Sequence, residues 1–155
     1  DTFHMRELTE HLEIRRICAK DAADISRIQA AITQSPVAID FGHIIEDQAR
    51  KGEDASLVAV HNGRVVGYMI SYTVFGGFGL EKGAAWIATL GVDPKFMGQG
   101  IGKRLAEEIL AVYRQKGITD IYTSVRWDSV DLLSFFKALG FDRSNFINLR
   151  KDLSS

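Results

Sequence analysis

VDPKFMGQGIGKRL, Val92 to Leu105, is the stretch on which the fold turns. A strand pattern ends at Asp93-Pro94, and a turn carrying Gly98, Gly100 and Gly102 runs straight into a helix. Glycine lets a backbone turn tightly and approach a ligand closely, because no Cβ stands in the way. The N–H groups of the turn and of the first helical turn lack intrahelical partners, and the helix dipole puts positive charge beside them. Together they make a site suited to an anion, with phosphate or diphosphate as the natural guest. The competing reading is a tight strand-to-helix turn that binds nothing.

The helix is signalled by Ile101, Leu105, Ile109 and Val112 on one stripe, with Lys103, Arg104, Glu107, Glu108 and Arg114 elsewhere. Lys116-Gly117 supplies its stop. Two nucleotide-site explanations fail on spacing. GQGIG lacks the extra residue of the G-x-G-x-x-G fingerprint, and Gly102-Lys103 is followed by Arg104, where a P-loop needs Ser or Thr.

The run resembles the acyl-CoA signature of the GNAT superfamily of N-acyltransferases, Gln/Arg-x-x-Gly-x-Gly/Ala, with Gly100 and Gly102 at its two small positions. Upstream, TLGVDP (Thr89 to Pro94) is similar to the end of that family's fourth strand. Downstream, Val125, Ser129 and FFKALGF (Phe135 to Phe141) resemble its second motif, which usually ends YxxxGF. The resemblance extends from about Leu12 to Leu153. It implies an α/β fold: a GNAT-like single domain with a mixed central sheet of six or seven strands, about four helices, and a splay between the fourth and fifth strands. It also implies acetyl-CoA, or a related acyl-CoA, as cosubstrate. Leu90, Gly91 and Val92 would hold the pantetheine arm, Gly98, Gln99, Gly100, Ile101, Gly102 and Lys103 the pyrophosphate, and Ser129 and Phe136 complete the cofactor-binding set. A strand edge left open by a splay offers N–H and C=O groups that the amides of pantetheine can satisfy. Gly91 suits a bulge there.

Departures from the family pattern bear on catalysis. Met97 replaces the initial Gln or Arg of the signature, which removes a side-chain contact but leaves the main-chain donors. Phe136 stands where many relatives carry a tyrosine that protonates the departing thiolate, and Ser129 stands where Asn is frequent; a benzyl ring has no proton to give. Ala84 to Leu90 contains no carboxylate where relatives place a strand glutamate, and Glu81, the nearest, reads as an exposed turn residue. Tyr72 and Tyr122 read as packing residues sooner than acids. No residue is assigned as general acid or base. Direct aminolysis needs only a neutral amine held near the thioester carbonyl, with water taking the proton. An α-amino group, with a pKa of about 7.7 to 8.0, meets that need more readily than a lysine at about 10.4.

The reading is an N-acyltransferase that moves an acetyl or other short acyl group to a primary amine of a small molecule or protein in a ternary complex. The rivals are a non-catalytic acyl-CoA-binding or sensing domain and an interaction domain with no ligand. Composition agrees with a globular enzyme: 155 residues, 46% hydrophobic and 25% charged, suit one domain. A formal net charge of −1 without a dense basic stripe argues against nucleic acid or an anionic membrane as partner. No apolar run reaches transmembrane length, and a lone cysteine, Cys18, is expected to be a small near-core residue in a cytoplasmic protein. His4, His11, His43 and His61 lack metal-ligand spacing. Trp86 and Trp127 read as core or pocket wall, and Asp40, Glu46 and Asp47 as a solvated helix face. Oligomeric state, including a homodimer, is left open.

In chain order, Leu12 to Cys18 alternates as a strand, DAADISRIQAAI from Asp21 forms a helix, and a second helix is expected over Phe41 to Lys51. His61-Asn62-Gly63 joins strands Leu57–Val60 and Arg64–Tyr72 as a hairpin. Phe75 to Gly83 reads as a flexible turn into a strand over Ala84 to Val92. Asp120 to Arg126 is expected as a strand, Ser129 to Leu139 as a helix, and Phe141 to Leu153 as one or two short strands. Residues 1–10 are expected to be a loose terminal segment preceding an N-acetyltransferase-like domain over 11–155.

Overall fold

The hairpin at Asn62-Gly63 anchors the sheet. Both residues have positive φ, 51° and 78°, which a two-residue turn of the right hand requires. In the computed structural model, which describes residues 11–33, 42–43, 55–74 and 83–154, it joins β2 (Leu57–His61) to β3 (Arg64–Val74). β1 (Leu12–Arg16) pairs antiparallel with β2, and β4 (Ala84–Val92) antiparallel with β3. β5 (Ile121–Thr123) then pairs parallel with β4, giving a mixed five-stranded sheet in the order β1-β2-β3-β4-β5. Parallel neighbours need a crossover, and helix α2 (Ile101–Gln115) supplies it.

Both faces of β3 are covered, so it is buried without a break from Val65 to Ser71. On one face Tyr68 and Ile70 join Val58, Val60 and Val65 against Ile25 and Ile28 of helix α1 (Ala22–Thr33). On the other, α2 lies so close that a Cβ at Gly67 would stand 3.0 Å from Ile101 Cγ2 and 3.3 Å from Leu105 Cδ1. The buried stripe of α2 is Ile101, Leu105, Ile109 and Tyr113, with Tyr113 in place of the expected Val112. The Tyr113 hydroxyl accepts the Ala55 N–H at 3.0 Å and lies 2.7 Å from Ser71 Oγ, so its polar end is satisfied inside the core.

At the end of β1, Arg15 grips Asp21 with two 2.8 Å bonds, and Asp21 also accepts the Cys18 N–H at 2.9 Å. Burial raises the Asp21 pKa, but these bonds outweigh it and hold the carboxyl below its ordinary range. Cys18 is half-buried beside that pair, its Sγ 3.3 Å from Asp21 Oδ2.

Two compact units make up the chain, Asp1–Ser124 and Val125–Ser155. The second holds helix α3 (Val130–Ala138) and the tail. The expectation of six or seven strands and about four helices is corrected to five strands and three α-helices among the described residues. Residues 141–154 form no strand. Asp142, Ser144 and Asp152 bond the nearby N–H groups of Arg143, Phe146 and Ser154, a local alternative to a ladder. β5 is also shorter than the expected Asp120–Arg126. Of the helix expected over Phe41 to Lys51, Gly42 and His43 are described and helical; the rest lies outside the described residues, as do Asp40, Glu46, Asp47, Glu81 and residues 1–10. No helix among the described residues is long and apolar enough to cross a membrane.

Candidate active site

β4 is held by β3 along its whole length, from Val74↔Ala84 to Gly67↔Val92. Against β5 it pairs at Ala85, Trp86 and Ile87 and no further. The Thr123 hydroxyl closes that short ladder on the Ile87 carbonyl at 3.0 Å. Beyond it, Ala88 to Val92 pairs with no strand on its second edge among the described residues of this unit.

The phase of the β3–β4 ladder follows from the bond of the Asp93 N–H to the Val66 carbonyl, 2.8 Å. It makes Gly67/Val92 a non-hydrogen-bonded pair, so Tyr68 and Gly91 exchange bonds while Leu90 and Val92 turn their N–H and C=O outward. Of the three residues expected to hold pantetheine, Leu90 and Val92 therefore present backbone groups to the open edge. Gly91 does not. The expected bulge at Gly91 is corrected as well: the register slips between Ile70 and Ser71, which leaves Ala88 as the extra residue. Gly91 is glycine because the Tyr68 ring lies across it, and a Cβ there would sit 2.7 Å from Cε1 and 2.8 Å from the hydroxyl oxygen.

The Tyr68 hydroxyl donates to Gln29 Oε1 of α1. Burial pushes this phenol up in pKa, partly offset by a hydrogen bond from Thr89. One buried hydroxyl thus links α1, β3 and β4.

Past Val92 the chain enters a 3-10 turn, Pro94–Phe96, capped by Asp93, whose carboxylate accepts the Lys95 N–H at 3.0 Å. Arg27 of α1 donates to the same carboxylate at 2.9 Å and to the Val65 carbonyl at 3.0 Å. Burial would raise the Asp93 pKa; the Lys95 amide and the Arg27 guanidinium prevail and hold it low. The Phe96 and Met97 amides are consumed by the turn, on Asp93 and Pro94 carbonyls.

From Gly98 onward the pattern changes. Gly98 and Gly100 lie at φ 78° and 79°, the left-handed region, and Gly100 is the N-cap of α2. Gly102 is already helical. The N–H groups of Gly98, Gln99, Gly100, Ile101, Gly102 and Lys103 have no acceptor among the described residues; the first helical bond is Arg104 to the Gly100 carbonyl, 3.0 Å. Six consecutive donors at the positive end of a 15-residue helix can hold an anion. Lys103 is exposed and 3.9 Å from Glu107, a weak pair that leaves its charge available.

Ser129 and Phe136 lie in the second unit. Ser129 is the N-cap residue of α3. Phe136 accepts the Phe141 N–H at 3.0 Å and its ring meets Phe141 at 5.1 Å, while Gly140, at φ 92°, donates to Lys137. The Gly-Phe end of the second motif is therefore a Schellman stop with its apolar contact. Tyr122 stacks on Trp86 at 4.8 Å, as packing residues do. No group of three or more potential metal ligands occurs among the described residues. Arg27, Gln29, Gly67 and Tyr68 escaped the sequence reading. Only Gly67, a glycine inside a strand pattern, carried a local signal.

The acetyltransferase (GNAT) family model matches residues 22–141, and the chain belongs to that family. The match runs across the boundary between the two units. Among solved structures the chain is similar to an aminoglycoside acetyltransferase from an uncultured soil metagenomic sample, in complex with sisomicin: TM-score 0.79 at 21% identity over 95% of this chain and 99% of that one. It is likewise similar to an aminoglycoside N-acetyltransferase in complex with CoA, with TM-score 0.76 at 17% identity over 92% and 95% of the two chains. A ribosomal-protein-alanine N-acetyltransferase from Brucella melitensis biovar Abortus 2308 gives 0.74 at 17%, over 92% and 99%. These likenesses establish the fold.

Proposed function

We propose that the chain is an acyl-CoA-dependent N-acetyltransferase whose cosubstrate lies along the open edge of β4 and ends on the α2 turn. The observation that carries this reading is the run of amides from Gly98 to Lys103 that have no acceptor among the described residues, adjoining a strand edge whose Leu90 and Val92 groups face outward. Acyl-CoA supplies an activated thioester. Leu90 and Val92 orient the pantetheine arm by backbone bonds, and the Val92 N–H polarises the thioester carbonyl. The turn amides and Lys103 take the diphosphate. A primary amine, deprotonated through water, forms the new C–N bond as the C–S bond breaks, and the thiolate takes its proton from solvent because Phe136 has none to give.

Relatives that act on aminoglycosides and on a protein's alanine make a small polyamine and a protein N-terminus the first acceptors to try. Thiol release from acetyl-CoA is measured with sisomicin, a peptide with N-terminal alanine and a lysine peptide. Release with any of them supports the enzyme. CoA binding without release from any amine favours the second reading, a non-catalytic acyl-CoA sensor, which Phe136 and the absence of a carboxylate from Ala84 to Leu90 recommend. Gly100→Val is expected to abolish CoA binding, and unchanged affinity would remove the cradle.

A further inference from the structure

Asp93 is an awkward residue to find at the mouth of an anion site. It is 6% exposed, ionised, and five residues ahead of the first turn amide that has no acceptor among the described residues. A buried carboxylate with no counter-charge would repel a diphosphate approaching Gly98 to Lys103, because the low dielectric around it screens poorly. The compensating charge comes from elsewhere in the chain. Arg27, 66 residues earlier, reaches from α1 with one arm on Asp93 Oδ2 and the other on the Val65 carbonyl. Its Nε also lies 3.4 Å from Asp24, a long, half-buried contact that adds little beside the 2.9 Å bond to Asp93.

The second arm matters mechanically. The β2–β3 register slips between Ala59 and Val60, so Val66 is the extra residue of β3, and its carbonyl receives the Asp93 N–H. Arg27 therefore bonds the carbonyl immediately before this bulge and the carboxylate immediately across from it. One guanidinium thus holds the residue that follows β4, where the turn departs, and the start of β3 beside it.

We propose that Arg27 is a positioning residue for acyl-CoA: acting through Asp93, it cancels the negative charge at the entry of the diphosphate turn and fixes the point where that turn leaves β4. This rests on the reading of Gly98 to Lys103 as the diphosphate site. Arg27 itself touches no ligand and takes no part in the transfer.

The test is isothermal titration of CoA into wild-type protein, Arg27→Gln, Asp93→Asn, the double variant, and Gly100→Val as a marker of the turn, with urea unfolding to confirm that each is folded. Arg27→Gln is expected to weaken CoA binding by about tenfold or more. The KM for acetyl-CoA rises correspondingly while the KM for the amine stays put. In the double variant a neutral Gln–Asn pair replaces the ion pair and Asn still caps Lys95, so affinity returns to within about threefold of wild type. A purely structural role predicts no such recovery. Arg27→Gln binding CoA like wild type, or a double variant as weak as the single, overturns the proposal. Should Arg27→Gln fail to fold, Arg27→Lys decides: retained affinity supports the charge role and a tenfold loss overturns it. Gly100→Val leaving CoA affinity intact, or wild type failing to bind CoA, overturns the turn reading and this proposal together; an effect of Gly100→Val with none of Arg27→Gln overturns this proposal alone.

Discussion

At the residue scale, three positions separate steric, conformational and polar demands. At Gly91 the obstacle is the Tyr68 ring, whose atoms would stand 2.7 to 2.9 Å from a new Cβ. Gly91→Ala is expected to lower stability by about 1–3 kcal/mol through overpacking, read as a lower urea midpoint with unchanged slope. At Gly100 a Cβ would meet nothing within 4 Å, but φ is 79°. Gly100→Ala therefore costs about 1–2 kcal/mol through backbone strain alone. The two alanine variants are then distinguished by Tyr68→Leu, which relieves the first and leaves the second unchanged. Tyr68→Phe keeps the ring and deletes the hydroxyl, leaving Gln29 Oε1 without that donor; a loss of about 1–3 kcal/mol is expected in the same measurement.

At the element scale, the ends of α2 and α3 are built alike. Ile118 and Gly117 donate to Tyr113 and Arg114, as Phe141 and Gly140 donate to Phe136 and Lys137. Gly140→Ala, at φ 92°, should fray α3, seen as a loss of amide exchange protection at Gly140 and Phe141. The β1–α1 junction makes a different prediction. Asp21 is held below its ordinary pKa by Arg15 and Cys18, so its contribution is present above the unfolded-state value and is lost as pH falls through the folded one. Asp21→Asn is expected to be less stable at neutral pH and to lose less on going below about pH 4, tracked by urea midpoints across pH. Equal acid slopes in the two proteins would show that Asp21 carries no such linkage.

At the scale of the whole molecule, the expected site joins a strand edge to a helix head within the unit Asp1–Ser124, and no single element could form it. Ligand binding to the folded state alone adds stability by mass action, so CoA at about 100 times its dissociation constant should add about 2.7 kcal/mol, seen as a rise in melting temperature. Arg27→Gln should need more CoA for the same rise, which links the α1 latch to the turn in one titration.

The amino-acid sequence by itself determined what is local. The Asn62-Gly63 hairpin, the boundaries of β4, the start of α2 after Gly100 and both glycine stops all follow from backbone preferences that a few neighbouring residues set, and the family followed from the order of two such motifs. Tertiary structure decided what faces what. Ala88 and Val66 each insert one residue into a ladder with a period of two, and such an insertion reverses every later side chain and amide. That phase is set by the partner strand, which is why Leu90 and Val92, and not Gly91, turn to the open edge. Arg27 and Asp93 likewise meet across 66 residues, because α1 and the bulged end of β3 bring them together and no spacing along the chain encodes it.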